Sequence, residues 1–179
     1  MHNRHAAGFT LIELIAALIL TALVGTAFVM ALAFGTEQYI LSNQTATLAQ
    51  KSRLTLARMY IELAEIQGLD LAHKNQIDKT NFYYIDHNGN AGSITLSSGT
   101  LLMNSQYTLV DGVGTYGSGQ ALFTYHDGAG NSWTPADGFD DLNEIAIELR
   151  LTNPDGSSST FVHSVNPRGS RIPNAPQME

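Results

Sequence analysis

The feature that most constrains this chain is an unbroken apolar run near its N-terminus, FTLIELIAALILTALVGTAFVMALAF, which extends from Phe9 to Phe34. At about 1.5 Å of rise per residue, a helix of this length measures about 39 Å, whereas the hydrocarbon core of a bilayer is about 30 Å thick. The hydroxyls of Thr10, Thr21 and Thr26 are tolerated in such a helix because each can bond to a helix carbonyl. The run therefore predicts a helix that crosses a membrane.

A short polar leader, MHNRHAAG, precedes the run and ends at Gly8. A secretory signal has an apolar stretch of about 7–15 residues with a small-residue cleavage site after it. Here the stretch is longer and the small residue precedes it, so cleavage after Gly8 would leave the helix on the mature chain. An uncleaved membrane anchor is the alternative. Arg4 precedes the span and no Lys or Arg follows it before Lys51, which predicts a cytoplasmic leader and an exported remainder.

Glu13 is the one charged residue inside the apolar run. A carboxylate near the bilayer centre costs about 2.5–3.5 kcal/mol on insertion scales, and less near the interface where Glu13 would lie. Cleavage after Gly8 would expose the amine of Phe9 about one helical turn away. We expect Glu13 to pair with this amine on a neighbouring subunit, which would set the stagger between helices. The alternative is an interfacial acid without a function.

The string GFTLIEL at residues 8–14, followed by an apolar helix, closely resembles the class III signal of type IV pilins and type II secretion pseudopilins. The resemblance covers residues 1–35. It implies that prepilin peptidase cuts between Gly8 and Phe9 and methylates Phe9, and that Glu13 acts in subunit docking within a filament. Many major pilins have a proline in this helix. No proline occurs between Phe9 and Gln67 here, which favours a minor subunit.

Residues 36–67 contain no Gly or Pro and predict that the helix continues beyond the membrane. Apolar residues recur on one face of this segment, and polar residues occupy the opposite face. The apolar positions are Leu41, Leu48, Leu56, Met59, Leu63 and Ile66. We expect this stripe to pack on the chain's own domain, with a coiled-coil seam as the alternative, and Gly68 to end the helix.

The rest of the chain predicts short strands and turns. Segments 81–86, 93–96, 100–103, 107–110 and 121–126 are strand candidates. The clearest hairpin pairs the alternating segment 144–151 with 160–165 across the turn Asn153-Pro154-Asp155-Gly156. A long helix followed by an antiparallel sheet is an α+β layout, and it is similar to that of pilins. The strand order over residues 120–166 also resembles J-type minor pseudopilins and the related W-type minor pilins.

The predicted organisation has five parts. These are a leader at 1–8, a transmembrane helix at 9–35, an amphipathic periplasmic helix at 36–67, a β-rich head at 68–166 and an irregular tail at 167–179.

Composition and motifs offer little chemistry. Nine basic residues are scattered against sixteen acidic ones, for a net charge of −7, so nucleic acid is not an expected partner. There is no cysteine, and the histidines show no metal-binding spacing. We expect no enzyme activity and no cofactor. The most plausible exception is calcium, which prefers several oxygen ligands. The weak candidates are Asp127, Asn131, Asp137, Asp140 and Asp141. A solvated acidic loop is the simpler interpretation.

The sequence thus predicts a minor pilin or pseudopilin that helps initiate or cap a type IV pilus or a type II secretion pseudopilus. Its expected partners are prepilin peptidase, other pilins or pseudopilins and the bacterial inner membrane. Its expected location is a single-pass protein in that membrane, with the head in the periplasm. A major pilin is one alternative. A membrane-anchored binding module or enzyme unrelated to filaments is the other.

Overall fold

The structure, a computed structural model, describes residues 10–153 and 156–171. This part of the chain begins with one long helix, α1 (Leu11–Ala64), which is followed by eight strands. The strands are β1 (Gly68–Leu69), β2 (Asn81–Ile85), β3 (Ala91–Ser97), β4 (Thr100–Met103), β5 (Tyr107–Asp111), β6 (Phe123–His126), β7 (Glu144–Thr152) and β8 (Ser158–Val165). Short 3-10 turns lie at Lys74–Gln76, Pro135–Asp137 and Gly169–Arg171. The predicted α+β, pilin-like layout is confirmed.

The chain divides into two compact units, with the boundary between Gln44 and Thr45. Within its described residues, the first unit consists of the helical segment of α1 up to Gln44. The second unit contains the remaining helical turns, from Thr45 to Ala64, and all the strands. We refer to this second unit as the head.

The helical part of the head buries one stripe of side chains against the strands. The buried positions are Leu48, Ser52, Thr55, Met59, Leu63 and Ala64. From Leu48 to Leu63, successive buried positions are three or four residues apart and lie on one helix face, which confirms that the segment packs on its own domain. Leu41 was expected in this stripe, but it lies in the first unit and is exposed. Ser52 and Thr55 were not expected there. Their hydroxyls bond to the carbonyls of Ala49 and Lys51, at 2.9 Å in each case, so their burial leaves no hydroxyl unsatisfied.

The strands form two antiparallel sheets, where the sequence had suggested one. The first has the order β1-β2-β3-β4-β5 and the second has the order β6-β7-β8. The two sheets meet where Val113 bridges Leu151 and the Gly114 N–H donates to the Arg150 carbonyl at 2.9 Å. The connection from β5 to β6, which contains Gly112, Gly114, Gly117 and Gly119, therefore crosses from one sheet to the other.

The core of the head is formed by the buried helix stripe and the inward side chains of both sheets. Alternate residues of β7 are fully buried, namely Ile145, Ile147, Leu149 and Leu151, which confirms the period-two pattern of this strand. Trp133 is also buried, and its indole N–H donates to the Gly138 carbonyl at 2.8 Å. Trp133 is therefore a core residue rather than an exposed contact residue.

The segment after β8 closes the end of α1. The Arg168 N–H donates to the Ala64 carbonyl at 3.0 Å, and the backbone at Gly169 approaches Ile66 so closely that a Cβ would lie 2.3 Å from its carbonyl oxygen. Glycine is required at this position because a side chain would collide with the backbone. The tail predicted to be irregular at 167–179 thus begins with an ordered, packed turn, while residues 172–179 lie outside the described part.

Asp70 stabilises the turn that follows β1. One carboxylate oxygen accepts the Ala72 N–H at 3.0 Å, and the other lies 2.6 Å from Nδ1 of His73. The His73 ring stacks on Tyr83, with centroids 5.0 Å apart. The hydrogen bond from His73 is the main cause that lowers the pKa of Asp70. The carboxylate is therefore favoured in its ionised form in the folded state.

We predict that Asp70→Asn lowers the free energy of unfolding by about 1–3 kcal/mol at neutral pH, because it weakens a nearly buried, charge-assisted hydrogen bond. A folded-state pKa below the unfolded value of about 3.9 stabilises the fold above that pH, and the stabilisation disappears as the pH falls through the folded pKa. Denaturant unfolding of the full chain in detergent measures this free energy for the wild type and for Asp70→Asn. The difference between the two proteins should therefore be smaller at about pH 3 than at about pH 7. Asp140→Asn, at an exposed site, is the control. If Asp70→Asn lowered the free energy of unfolding equally at both pH values, the stabilising role given to the ionised Asp70 carboxylate would be contradicted.

Candidate assembly site at the N-terminal helix

The side chain of Glu13 forms a capping box at the start of α1. Oε2 of Glu13 accepts the backbone N–H and the hydroxyl of Thr10, each at 2.9 Å. The Glu13 N–H in turn donates to the Thr10 hydroxyl at 3.4 Å. Thr10 is thus the N-cap residue and Glu13 the third residue of the helix, which is the reciprocal arrangement of a capping box. The acid satisfies a backbone donor that the helix itself leaves unpaired.

The sequence signal for this capping box was present but not used. Thr10 and Glu13 have the T-x-x-E spacing that precedes an apolar run in capping boxes. From the sequence alone, we interpreted Glu13 as a charge within an apolar run that needs a positive partner. The structure adds a local partner, and Gly8 and Phe9 lie outside the described residues. The predicted pairing of Glu13 with a Phe9 amine therefore stays a prediction.

The N-terminal part of α1, up to Phe34, exposes its apolar side chains. From Leu11 to Phe34 every residue is exposed, and a window within this helix has a mean hydropathy of 2.5 with none of its residues buried. The hydroxyls in this segment bond to their own helix. Thr21 donates to the Ala17 carbonyl at 2.7 Å, and Thr26 to the Ala22 carbonyl at 3.0 Å. The helix is long and apolar enough to cross a membrane.

The acidic segment proposed for calcium places three of its five candidates around one shallow pocket of about 360 Å³, lined by Asp127, Asp137 and Asp141. Two of these carboxylates already bond to their own turns. Asp127 accepts the N–H groups of Ala129 and Asn131 at 2.9 and 2.7 Å, and Asp137 accepts the Thr134 N–H at 2.7 Å. These bonds lower the pKa of both carboxyls, chiefly through Asn131 for Asp127 and through Thr134 for Asp137.

The two remaining candidates, Asn131 and Asp140, are exposed and are not brought into a common ligand set. Asn131 instead donates its side-chain amide to Asp127 at 3.0 Å. Across residues 10–153 and 156–171, no three His, Cys, Asp or Glu side chains are placed so that they could hold a metal ion. The histidines have other neighbours. His73 pairs with Asp70, and the ring of His163 contacts Tyr60 edge-on with centroids 5.5 Å apart.

Comparison with protein families identifies the N-terminal segment. Residues 3–29 match the model of the prokaryotic N-terminal methylation motif. Comparison with curated proteins and with solved structures gives no significant match. The matched segment includes Gly8, Phe9, the capping pair and most of the apolar run. The chain therefore carries a pilin-type methylation motif on a membrane-length helix that leads into an α+β head.

We predict that calcium does not stabilise the head, because no three acidic side chains of the described residues converge on one position, and Asp127 and Asp137 already accept hydrogen bonds from their own turns. Thermal unfolding of the full chain in detergent, measured with millimolar calcium and with a chelator, should give the same melting temperature. Asp127→Ala should lower that temperature equally with and without calcium, because the variant loses its turn bonds. A saturable rise in melting temperature that Asp141→Asn abolishes would contradict this expectation and identify a site.

Proposed function

We propose that this protein is a minor subunit of a type IV pilus or a type II secretion pseudopilus. In this proposal prepilin peptidase cuts after Gly8 and methylates Phe9, and the mature helix then leaves the membrane to pack in the filament core. The observation that supports the proposal most strongly is the methylation motif matched at residues 3–29, which is continuous with an apolar helix that the described residues leave exposed.

The exposed helix requires an external partner. Burying one large apolar side chain contributes about 1.5–3 kcal/mol, and the segment from Leu11 to Phe34 exposes many of them. Lipid covers this apolar surface before assembly, and neighbouring helices bury it within a filament. Gly25 is the one glycine within this surface, and the space beside it is open, which gives a neighbouring helix room to approach closely.

Glu13 has two roles in this proposal. Its Oε2 oxygen caps the helix through Thr10, while Oε1 has no partner among the described residues. Oε1 is therefore available to a cation from outside the chain. The methylated amine of a neighbouring Phe9 supplies such a cation in an apolar filament core, where a charge pair is strengthened by the low dielectric. The same carboxylate then orders both the helix start and the subunit stagger.

The basic residue in the leader supports a cytoplasmic N-terminus, and the head would accordingly face the periplasm of a bacterium. A minor rather than a major subunit is favoured by the absence of a helix proline and of a cysteine pair. A membrane-anchored enzyme would need converging catalytic groups in the head. Asp86, Asp127 and Asp137 instead bond to their own turns, which favours a structural subunit.

The test separates helix capping from docking. Glu13→Gln retains the capping box, because glutamine serves at this position, but removes the charge. We expect normal leader cleavage and about tenfold less protein in sheared filaments or in cross-linked assemblies from native cells. Glu13→Ala should fail to assemble to at least the same extent.

Thr10→Val is the matched control, because it removes the capping hydroxyl and leaves the charge of Glu13 intact. It should assemble better than Glu13→Gln. The opposite order, with Glu13→Gln normal and Thr10→Val defective, would show that Glu13 acts only as a helix cap. Both variants are compared with the wild type at equal abundance in the membrane fraction.

A further inference from the structure

Strand β8 lies at the edge of its sheet, and the register shows which of its backbone groups are unpaired. In β7 the N–H groups of Glu148 and Thr152 donate away from β8, to the carbonyls of Leu122 and Gly112. The odd-numbered residues of β7 therefore bond to β8, where their partners are Ser159, Phe161, His163 and Val165. It follows that the N–H and C=O groups of Ser158, Thr160, Val162 and Ser164 point outward.

This edge lacks the usual protection. Natural edge strands carry charges, proline or bulges, or another segment covers them. The sequence of β8, SSTFVHSV, contains neither an acidic residue, a lysine, an arginine nor a proline. At the opposite edge of the same sheet, β6 is covered, because its outward groups bond to Lys79 and Trp133. Among the described residues nothing pairs with the outer edge of β8.

An apolar groove lies between α1 and this edge. It has a volume of about 660 Å³ and is lined by Arg53, Leu56, Ala57, Tyr60, Ile61 and His163. Tyr60 and Ile61 remain 42 % and 59 % exposed although both are large and apolar. A strand added beside β8 would direct alternate side chains toward α1 and into this groove.

We propose that β8 and this groove form a docking site for an extended segment of a partner protein, which adds to the sheet as an antiparallel strand. Backbone hydrogen bonds to β8 would give affinity, and the groove would select for apolar side chains at alternate positions, as in other strand additions. The site lies in the head and does not depend on the helix docking proposed above.

Arg53 specifies a further feature of the partner. It lines the groove, and no ion pair or hydrogen bond involves it within the described part of the chain, whereas Arg58 pairs with Glu62 at 3.1 Å. His163 contacts Tyr60, and Arg168 bonds to Ala64, so β8 and α1 run in the same direction here. The Arg53 end of the groove therefore faces the start of β8. An antiparallel partner strand would place an acidic side chain there, near its C-terminal end.

Two segments of this chain fit the site poorly. A second copy of β8 carries no carboxylate for Arg53. The C-terminal sequence IPNAPQME has prolines at 173 and 176, which are an odd number of residues apart. One of them would therefore face β8 in any register and remove a ladder hydrogen bond. The occupant is accordingly a segment of another protein, with alternating apolar residues and a carboxylate near its end.

The test uses a synthetic peptide of sequence TITVTET, capped at both ends, added to the full chain in detergent micelles. Its isoleucine, valine and glutamate share one face. NMR hydrogen exchange should show new protection at the amides of Ser158, Thr160, Val162 and Ser164. The amides of Ser159, Phe161 and His163 should change little, because they already bond to β7. Uniform protection along β8, or none at saturating peptide, would overturn the proposal.

Variants test the two parts of the site separately, namely the unpaired edge of β8 and the charge of Arg53. Val162→Pro removes an outward N–H without touching the β7 ladder and should weaken binding about tenfold, whereas Val162→Ala should bind normally. The peptide TITVTQT should bind about threefold more weakly than TITVTET, and Arg53→Gln should abolish that difference. Arg58→Gln removes one positive charge outside the groove and is the control. This variant should preserve the difference in affinity between the two peptides. Shifts confined to Tyr60 and Ile61, with no edge protection, would indicate a helical partner or bound detergent and would overturn strand addition.

Discussion

The rest of the structure depends on an apolar helix surface that no other described part of the chain covers. Between Leu11 and Phe34 the side chains are exposed, and the hydroxyls among them bond back to their own helix. A surface of this kind is stable only in lipid or against other apolar helices. Membrane insertion and helix packing in a filament are two solutions to the same constraint. The methylation motif matched at residues 3–29 connects the two in our proposal, in which the leader is removed at the start of this surface.

The same helix changes its role after Thr45. In the head it supplies one buried face, on which Met59 and Leu63 are fully covered by the strands. The segment after β8 then closes the helix end through Arg168 and Gly169. The head therefore combines one helix with two antiparallel sheets joined at Val113 and Leu151. Within the described residues nothing pairs with the outer edge of β8, which lies beside an apolar groove and is the part of the head that we propose for a protein contact.

Local patterns in the sequence predicted the strands well. Residues 100–103 form β4 as predicted, and the 144–151 pattern corresponds to β7, because alternation identifies a half-buried strand without knowledge of its neighbours. A pattern within one segment does not show which distant segment pairs with it, so pairings between distant segments could not be predicted from the sequence. The second sheet, the two-residue β1 and the burial of Ser52 and Thr55 follow from tertiary packing. The hydrogen bond that Asp70 accepts from His73 and the unpaired edge of β8 likewise depend on the assembled fold. The capping box of Thr10 and Glu13 is different, since its spacing was readable from the sequence.

The central claim is that the exposed helix belongs to a processed pilin-like subunit. Mass spectrometry of the N-terminal peptide of the protein purified from native membranes tests it most directly. The account predicts a mature chain that begins at Phe9 with a methylated amine and lacks residues 1–8. A chain that retains the leader in cells with active prepilin peptidase would contradict the account and leave the helix as a simple membrane anchor.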